Sequence, residues 1–523
     1  MHRRDFLAAL ALSPFFGILP VKGQTGMTDQ NGVDLSDDGF SMKLSDPVPF
    51  SPDAVRKRAQ RLASKKFSPP TLTLPKVLEN LTYDQYRDIR FRPDKAVWRA
   101  EGLPFQMHMF HSGFFYMQPV SINLVNNGEA RKLLYSPDYY SFGPSVQPPP
   151  PGYDLGFAGF RIHSQINTED YFDEVIVFQG ASYFRAVAKN QHYGLSARGL
   201  ALDTAEPTGE EFPLFRAFWV ETPLAGASSI VVHALLDSQS TTGAYRFTIR
   251  PGEITEMDVE MTLYPRTNLS NPGFAPLTSM FYFSASDRLG VNDFRPAVHD
   301  SEGLSIHNGR GEWLWRPLSN PAILQSSAFV DHSPRGFGLM QRNRKFTQFE
   351  DLEARYERRP SLWVEPIGDW GAGAVHLIEI PSNSEINDNI VAFWRPSDPI
   401  PGGSEFVLNY RLQWCNEPSD GPDVALVTST RVGTGWESET RLFVIDFVGK
   451  PLDTLPEGAV PEADVWASEG KILNIVVQPN PEIKGWRLSF EVDTGEAQTV
   501  EMRTYLKNKT DRLSEVWVYR WTA

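Results

Sequence analysis

The sequence predicts an all-β fold. Three observations carry the prediction: strict apolar–polar alternation in the middle of the chain, scarce helical periodicity after the N-terminal segments, and about seven short strand patterns in the C-terminal quarter. In Tyr245-Arg246-Phe247-Thr248-Ile249-Arg250 large apolar residues alternate with polar ones. Met257, Val259, Met261 and Leu263 alternate with Asp258, Glu260 and Thr262. Period two of this kind marks antiparallel strands with one face toward water, and the rarity of helical periods argues against βαβ architectures.

In chain order, Arg3-Arg4-Asp5-Phe6-Leu7 precedes an apolar run from Ala8 to Leu19, and Val21-Lys22-Gly23 offers a cut before Gln24. A basic start, a short apolar run and a small residue at the cut describe a signal peptide over 1–23, and the paired arginines point to the twin-arginine route. The run is too short to span a bilayer, so no membrane span is expected in the mature chain. Residues 24–48 read as a flexible leader. Ser51-Pro52-Asp53 supplies a cap, a first-turn proline and an early acid. The stripe Val55, Ala59, Leu62, Ala63 continues that helix to about Lys66. Thr82 caps a second short helix. Pro144 to Pro151 reads as a stiff surface loop.

The segment Arg395-Pro396-Ser397-Asp398-Pro399-Ile400-Pro401-Gly402-Gly403 separates two strand-like stretches and lacks strand pattern. It is the expected linker, over 396–403, between a large sandwich at 49–395 and a domain at 404–523. Seven strands in the latter, including Trp486, Leu488, Phe490 and Val492 at period two, predict an immunoglobulin-like sandwich able to fold alone. A length of 523 residues suits two domains rather than one core.

Charge and composition exclude several functions. A formal net charge of -14 argues against a nucleic-acid partner. The single cysteine, Cys415, rules out an intrachain disulfide and a thiolate cluster. No phosphate-binding loop, His-x-x-x-His pair or Gly-x-Ser-x-Gly elbow occurs, so neither a metal nor a cofactor is expected.

What the chain does hold is a set of aromatic, acidic and Gly/Asn-rich segments around His299-Asp300-Ser301, Gly311-Glu312-Trp313-Leu314-Trp315, Tyr356-Glu357-Arg358-Arg359-Pro360-Ser361-Leu362-Trp363 and Glu385-Ile386-Asn387-Asp388-Asn389-Ile390. Sugar rings present apolar faces and hydroxyl edges, so a cleft for them needs aromatic platforms beside carboxylates, amides and guanidinium groups. Glycoside cleavage also needs two carboxyl groups, one of them protonated. From the residues alone, Asp300 before Ser301 and Asp388 between two asparagines also suit turns. Trp313 and Trp315, two apart, suit a platform or a core equally.

The same segments carry a resemblance. Together with Asp154-Leu155-Gly156-Phe157-Ala158-Gly159-Phe160, Gly180-Ala181-Ser182-Tyr183-Phe184-Arg185, Tyr193-Gly194-Leu195-Ser196-Ala197-Arg198-Gly199 and Leu235-Leu236-Asp237-Ser238, they make nearly all of the mature chain resemble the periplasmic glucan biosynthesis G and D proteins. The body is closer to the G branch and the N-terminus to the D branch. The resemblance implies a large galactose-mutarotase-like β-sandwich with a cleft, followed by an immunoglobulin-like sandwich, in the periplasm. It implies β-1,2-glucan as ligand, with other glucan biosynthesis proteins and a second copy of the chain (a homodimer) as partners. The activity it implies is that of an inverting endo-β-1,2-glucanase or related transglycosylase, with a non-catalytic glucan-binding scaffold as the competing function. Asp388 of the Asp-Asn-Ile string takes the general acid's place. Asp300 of the His-Asp-Ser string takes the base's, acting through waters and a substrate hydroxyl. Glu385, Tyr356, Arg359, Trp363 and Trp313 are candidates for substrate contact or proton relay. If both aspartates line a wet cleft, neither Asp→Asn change should cost much stability.

Overall fold

The computed structural model describes residues 42–436, 439–456 and 458–523, so the signal-peptide stretch and most of the leader lie outside the described residues. The regular structure of the described chain is almost entirely β, with a few short helical pieces. It divides into two compact units. The first comprises residues up to His192, Ala197–Pro272 and Pro399–Asn409; the second comprises Tyr193–Ser196, Gly273–Asp398 and Tyr410–Ala523.

The first unit is a sandwich. One sheet runs in the order Val48–Pro49, Glu129–Lys132, Ser121–Asn126, Leu214–Glu221, Ile230–Asp237, Thr241–Arg250, Thr255–Pro265. The alternation read from sequence sets its register: Tyr245 lies opposite Met261, Phe247 opposite Val259 and Ile249 opposite Met257, all six buried. That inward face meets aromatic residues of a second sheet, with Phe160 against Phe218 at 5.0 Å and Phe178 against Phe247 at 5.4 Å. Burying such rings is the main stabilising term of the unit. The first predicted helix, Pro52–Ala63, turns Val55 and Ala59 into a small core with Trp219, Leu235 and Tyr264. It stops short of Lys66. The second, Tyr83–Arg87, starts with a reciprocal cap between Thr82 and Gln85.

The second unit carries three larger groups of strands beside the two-stranded pair Phe281–Phe283 and Val298–His299. One runs Ser361–Ile367, Gly336–Met340, Gly303–His307, Trp313–Pro317, Val516–Thr522, Thr499–Asn508, Glu462–Ala467. Another runs Gln325–His332, Ala372–Glu379, Ile390–Pro396, Pro272–Ser279. A four-stranded sheet of Leu426–Thr434, Thr440–Val448, Gly485–Asp493 and Lys471–Asn480 completes it.

The compact units do not follow the boundary expected at 396–403. Ile400 exchanges both backbone hydrogen bonds with Leu269 (2.9 and 3.0 Å), and the Gly403 N–H donates to the Pro265 carbonyl at 2.8 Å, so residues 399–403 are stitched into the first unit, while those up to Asp398 belong to the second. The C-terminal sandwich, in turn, shares its core. Trp315, Met340 and Trp363 pack with Phe443, Phe490 and Trp517. The Val516–Thr522 strand pairs in parallel with Trp313–Pro317, placing Leu314 opposite Val516 and Trp315 opposite Trp517.

Candidate functional site

The candidate site lies wholly in the second unit and is organised by two adjacent residues, Met280 and Phe281. They follow the Pro272–Ser279 strand and open the short Phe281–Phe283 strand, where Phe281 pairs with His299. The Met280 carbonyl accepts the Asp300 N–H at 2.8 Å. Phe281 is held from another direction. Its N–H donates to Asn389 Oδ1 at 2.8 Å, and its carbonyl accepts from Asn389 Nδ2 at 2.9 Å. The same Nδ2 also reaches the Ile380 carbonyl at 3.1 Å. Asn389 directly follows Asp388, so the two candidate aspartates hang from neighbouring peptide units. Beneath them Met280, Phe283, Val298, Phe349 and Tyr356 form a compact apolar cluster.

Asp300 is 3% exposed and Arg359 1%. They form an ion pair through Arg359 Nη1 and Asp300 Oδ1. The guanidinium also donates to the Ala354 carbonyl through Nε (3.3 Å) and Nη2 (3.2 Å), and lies 4.2 Å from the centroid of the Tyr356 ring. Such multiple use is what a buried charge requires. Gly194 leaves room for it: a Cβ there would sit 2.9 Å from the Arg359 Cβ. Tyr356, also 1% exposed, donates through Oη to Glu385 Oε2 at 3.4 Å. Burial pushes the Tyr356 phenol well above its ordinary range. Arg359 opposes that rise, while Glu385 and Asp300 reinforce it, so the hydroxyl stays protonated as a donor. Glu385 in turn pairs with Arg295 at 2.8 Å, and Arg295 with Asp351 and Asp293, each at 2.8 Å. Gln341 Nε2 ties the His299 and Tyr356 carbonyls together at 3.0 and 3.2 Å.

Four predicted residues thus come together: Asp300, Arg359, Tyr356 and Glu385. Asp388 is half-buried, three residues beyond Glu385 on the segment that Asn389 anchors. Trp363 and Trp313 are placed elsewhere. Trp363 is 4% exposed and stacks on half-buried Trp313 at 5.5 Å, within or against the core of the C-terminal sandwich. Sequence reasoning passed over Arg295, Asp293, Asp351, Gln341 and Asn389. Only Asn389 carried a local signal, as an amide directly before the apolar strand Ile390–Trp394, where a buried polar group must be bonded. Among the described residues no three His, Cys, Asp or Glu side chains converge as a metal site.

The family model described as "Periplasmic glucan biosynthesis protein, MdoG" matches residues 50–521. The chain belongs to this family. Among its relatives, the Glucans biosynthesis protein G of Rhodopseudomonas palustris (strain BisA53) is 52% identical over 100% of both chains. The protein of that name from Bradyrhizobium diazoefficiens is 54% identical, across 90% of this chain and 93% of its own. That from Vibrio cholerae (strain O395) is 52% identical, across 90% of this chain and 87% of its own.

Proposed function

We propose that this periplasmic glucan biosynthesis family member works in the periplasm on the β-1,2-glucan backbone, as an inverting endo-β-1,2-glucanase or a closely related transglycosylase. The observation that carries the reading is the shared anchorage of Asp300 and Asp388 on Met280 and Phe281, one aspartate buried in an ion pair and the other half-exposed. Glycosidic cleavage needs two carboxyl groups in unlike environments, and these differ.

In this mechanism Asp388 gives its proton to the glycosidic oxygen as the bond to the anomeric carbon breaks. Water attacks that carbon from the opposite face, and its proton passes through further water and a substrate hydroxyl to Asp300. Arg359 and Tyr356 fix the Asp300 carboxylate, and the Glu385–Arg295 pair holds the segment bearing Asp388. A sugar hydroxyl in place of the attacking water gives transfer. Export by the twin-arginine route, from Arg3 and Arg4, completes the reading.

Burial of Asp300 against Arg359 favours a second reading, a glucan-binding scaffold in which this pair is structural. Linear β-1,2-glucan incubated with wild type and Asp388→Asn separates the two. As general acid catalysis is worth about 10²–10⁴-fold, hydrolysis or transfer should fall by that order in the variant while glucan binding survives. Undiminished cleavage by Asp388→Asn removes it as the acid. Binding without any cleavage or transfer by wild type establishes the scaffold.

A further inference from the structure

We propose a second carbohydrate-binding site in the same unit, at the far end of the Gly303–His307 strand from Asp300; its ligand, a glucan chain, rests on the function proposed above. A cavity of about 980 Å³ opens there between the 308–312 hairpin, the end of the Gln325–His332 strand and the Thr499–Asn508 strand. That volume is at the upper end for small-molecule sites. The intervening strand alone separates it from Asp300 by roughly 15 Å.

Period-two geometry builds the cavity. Trp313 and Trp315 turn toward the core of the C-terminal sandwich, so Glu312 and Leu314 face the other way and line the opening. Met502, Thr504 and Leu506 are buried, which turns Arg503 outward. The rim is fixed: Asn308 Oδ1 accepts the N–H groups of Arg310 (3.1 Å) and Glu312 (2.8 Å). Glu312 Oε1 is held by Arg503 Nη2 at 2.5 Å and Arg512 Nη1 at 2.7 Å.

The chemistry selects a neutral polyol over an anion. Glu312 already engages two of the three arginines lining the cavity, and Asp331 accepts the N–H groups of Gly309 (2.9 Å) and His332 (2.8 Å). An entering phosphate or carboxylate would meet these acids. A sugar offers both donors and acceptors to such a set, and an apolar face to Leu314 and half-buried Phe329. Arg503 Nε is buried without an acceptor among the described residues, so the guanidinium keeps an unused donor in the wall of this cavity.

The test is hydrogen exchange, read by mass spectrometry on Asp388→Asn protein with and without linear β-1,2-glucan. Protection at 308–314 and 329–332, as well as at 354–360 and 385–389, is the expected result. Protection at the latter two segments alone overturns this site and leaves the proposed function standing. Protection at the cavity alone supports the site and counts against the aspartate cluster as the place of reaction. Protection at neither overturns both. The pair of changes Phe329→Ala and Arg503→Gln should abolish protection at the cavity and keep it at 354–360. If cavity protection persists in that variant, with its melting temperature matched to the parent, the assignment fails.

Discussion

Asn389 grips Phe281 at both of its backbone polar groups, accepting its N–H at 2.8 Å and donating to its carbonyl at 2.9 Å. One side chain here does the work of a strand partner. It joins the segment carrying Asp388 to the residue next to Asp300's own anchor, and it does so in a site that is 2% exposed at Asn389. Any drift of this amide would move one aspartate relative to the other.

Asn389→Ala should therefore harm both stability and activity. It deletes three hydrogen bonds and leaves buried backbone groups unpaired, a loss of about 2–4 kcal/mol. Urea unfolding measures the first effect and glucan cleavage per folded molecule the second. Full activity with reduced stability would show that the clamp does not set the aspartates.

Asp300→Asn and Asp388→Asn should part company in stability, although the sequence alone led to a small cost for both. Asp300 is not on a wet surface; its removal as a charge strands the guanidinium of Arg359, which is 1% exposed. Breaking a buried pair in this way costs about 3–5 kcal/mol. Half-buried Asp388 should lose less than Asp300, since its carboxyl stays closer to water. Equal denaturation midpoints for the two variants would contradict the burial argument.

Two opposing pH dependences are built into the fold. Burial holds His299 down at about 3 and His111 and His163 at about 4, against 6.5 in the unfolded chain. Unfolded chains then bind more protons below pH 6.5, so this contribution to stability is lost as pH falls from 6.5 toward 4. Burial lifts Glu302 to about 7 from 4.5, so its contribution is complete below 4.5 and is lost as pH rises to 7. The wild-type melting temperature should fall steadily relative to that of Glu302→Gln as pH rises across that interval. A difference independent of pH would refute the Glu302 part.

The 396–403 segment should resist limited proteolysis under native conditions, because its backbone is bonded at Ser397, Ile400, Gly402 and Gly403. Cleavage there before global unfolding would show those bonds to be transient. The isolated fragment 404–523 should melt less cooperatively than the same residues in the full chain, since Trp315, Met340 and Trp363 of its core are missing.

Replacing both Arg3 and Arg4 with lysine should leave precursor in the cytoplasm, as a twin-arginine signal requires. Fractionation with immunodetection checks this, and unchanged periplasmic accumulation of the variant would reassign the route.

The β-class and the buried faces of the strands carrying Tyr245 and Met261 were legible because alternation along one strand reports directly on burial. The sharing of cores was not. Nothing local in Trp315 or Trp363 distinguishes a tryptophan packed on Trp517 from one waiting for a sugar, since both obey the same period. The site divides along the same line. Asp300, Tyr356, Arg359 and Glu385 stand in conspicuous polar–aromatic strings, whereas Arg295 and Asp351 join them only through the folded backbone, 56 residues apart and bonded at 2.8 Å. Long-range ion pairs of that kind leave no periodic trace in a sequence.

The parallel pairing of Leu314 with Val516 joins strands some two hundred residues apart. A ribosome making this protein must add the residues between them before that pairing can form. Until then the outer edge of the Trp313–Pro317 strand has no partner, and the half-made unit exposes Trp315 and Trp363. Closure of this part of the sheet therefore waits on the Val516–Thr522 strand, whose loss would uncover Trp315 and Trp363 together.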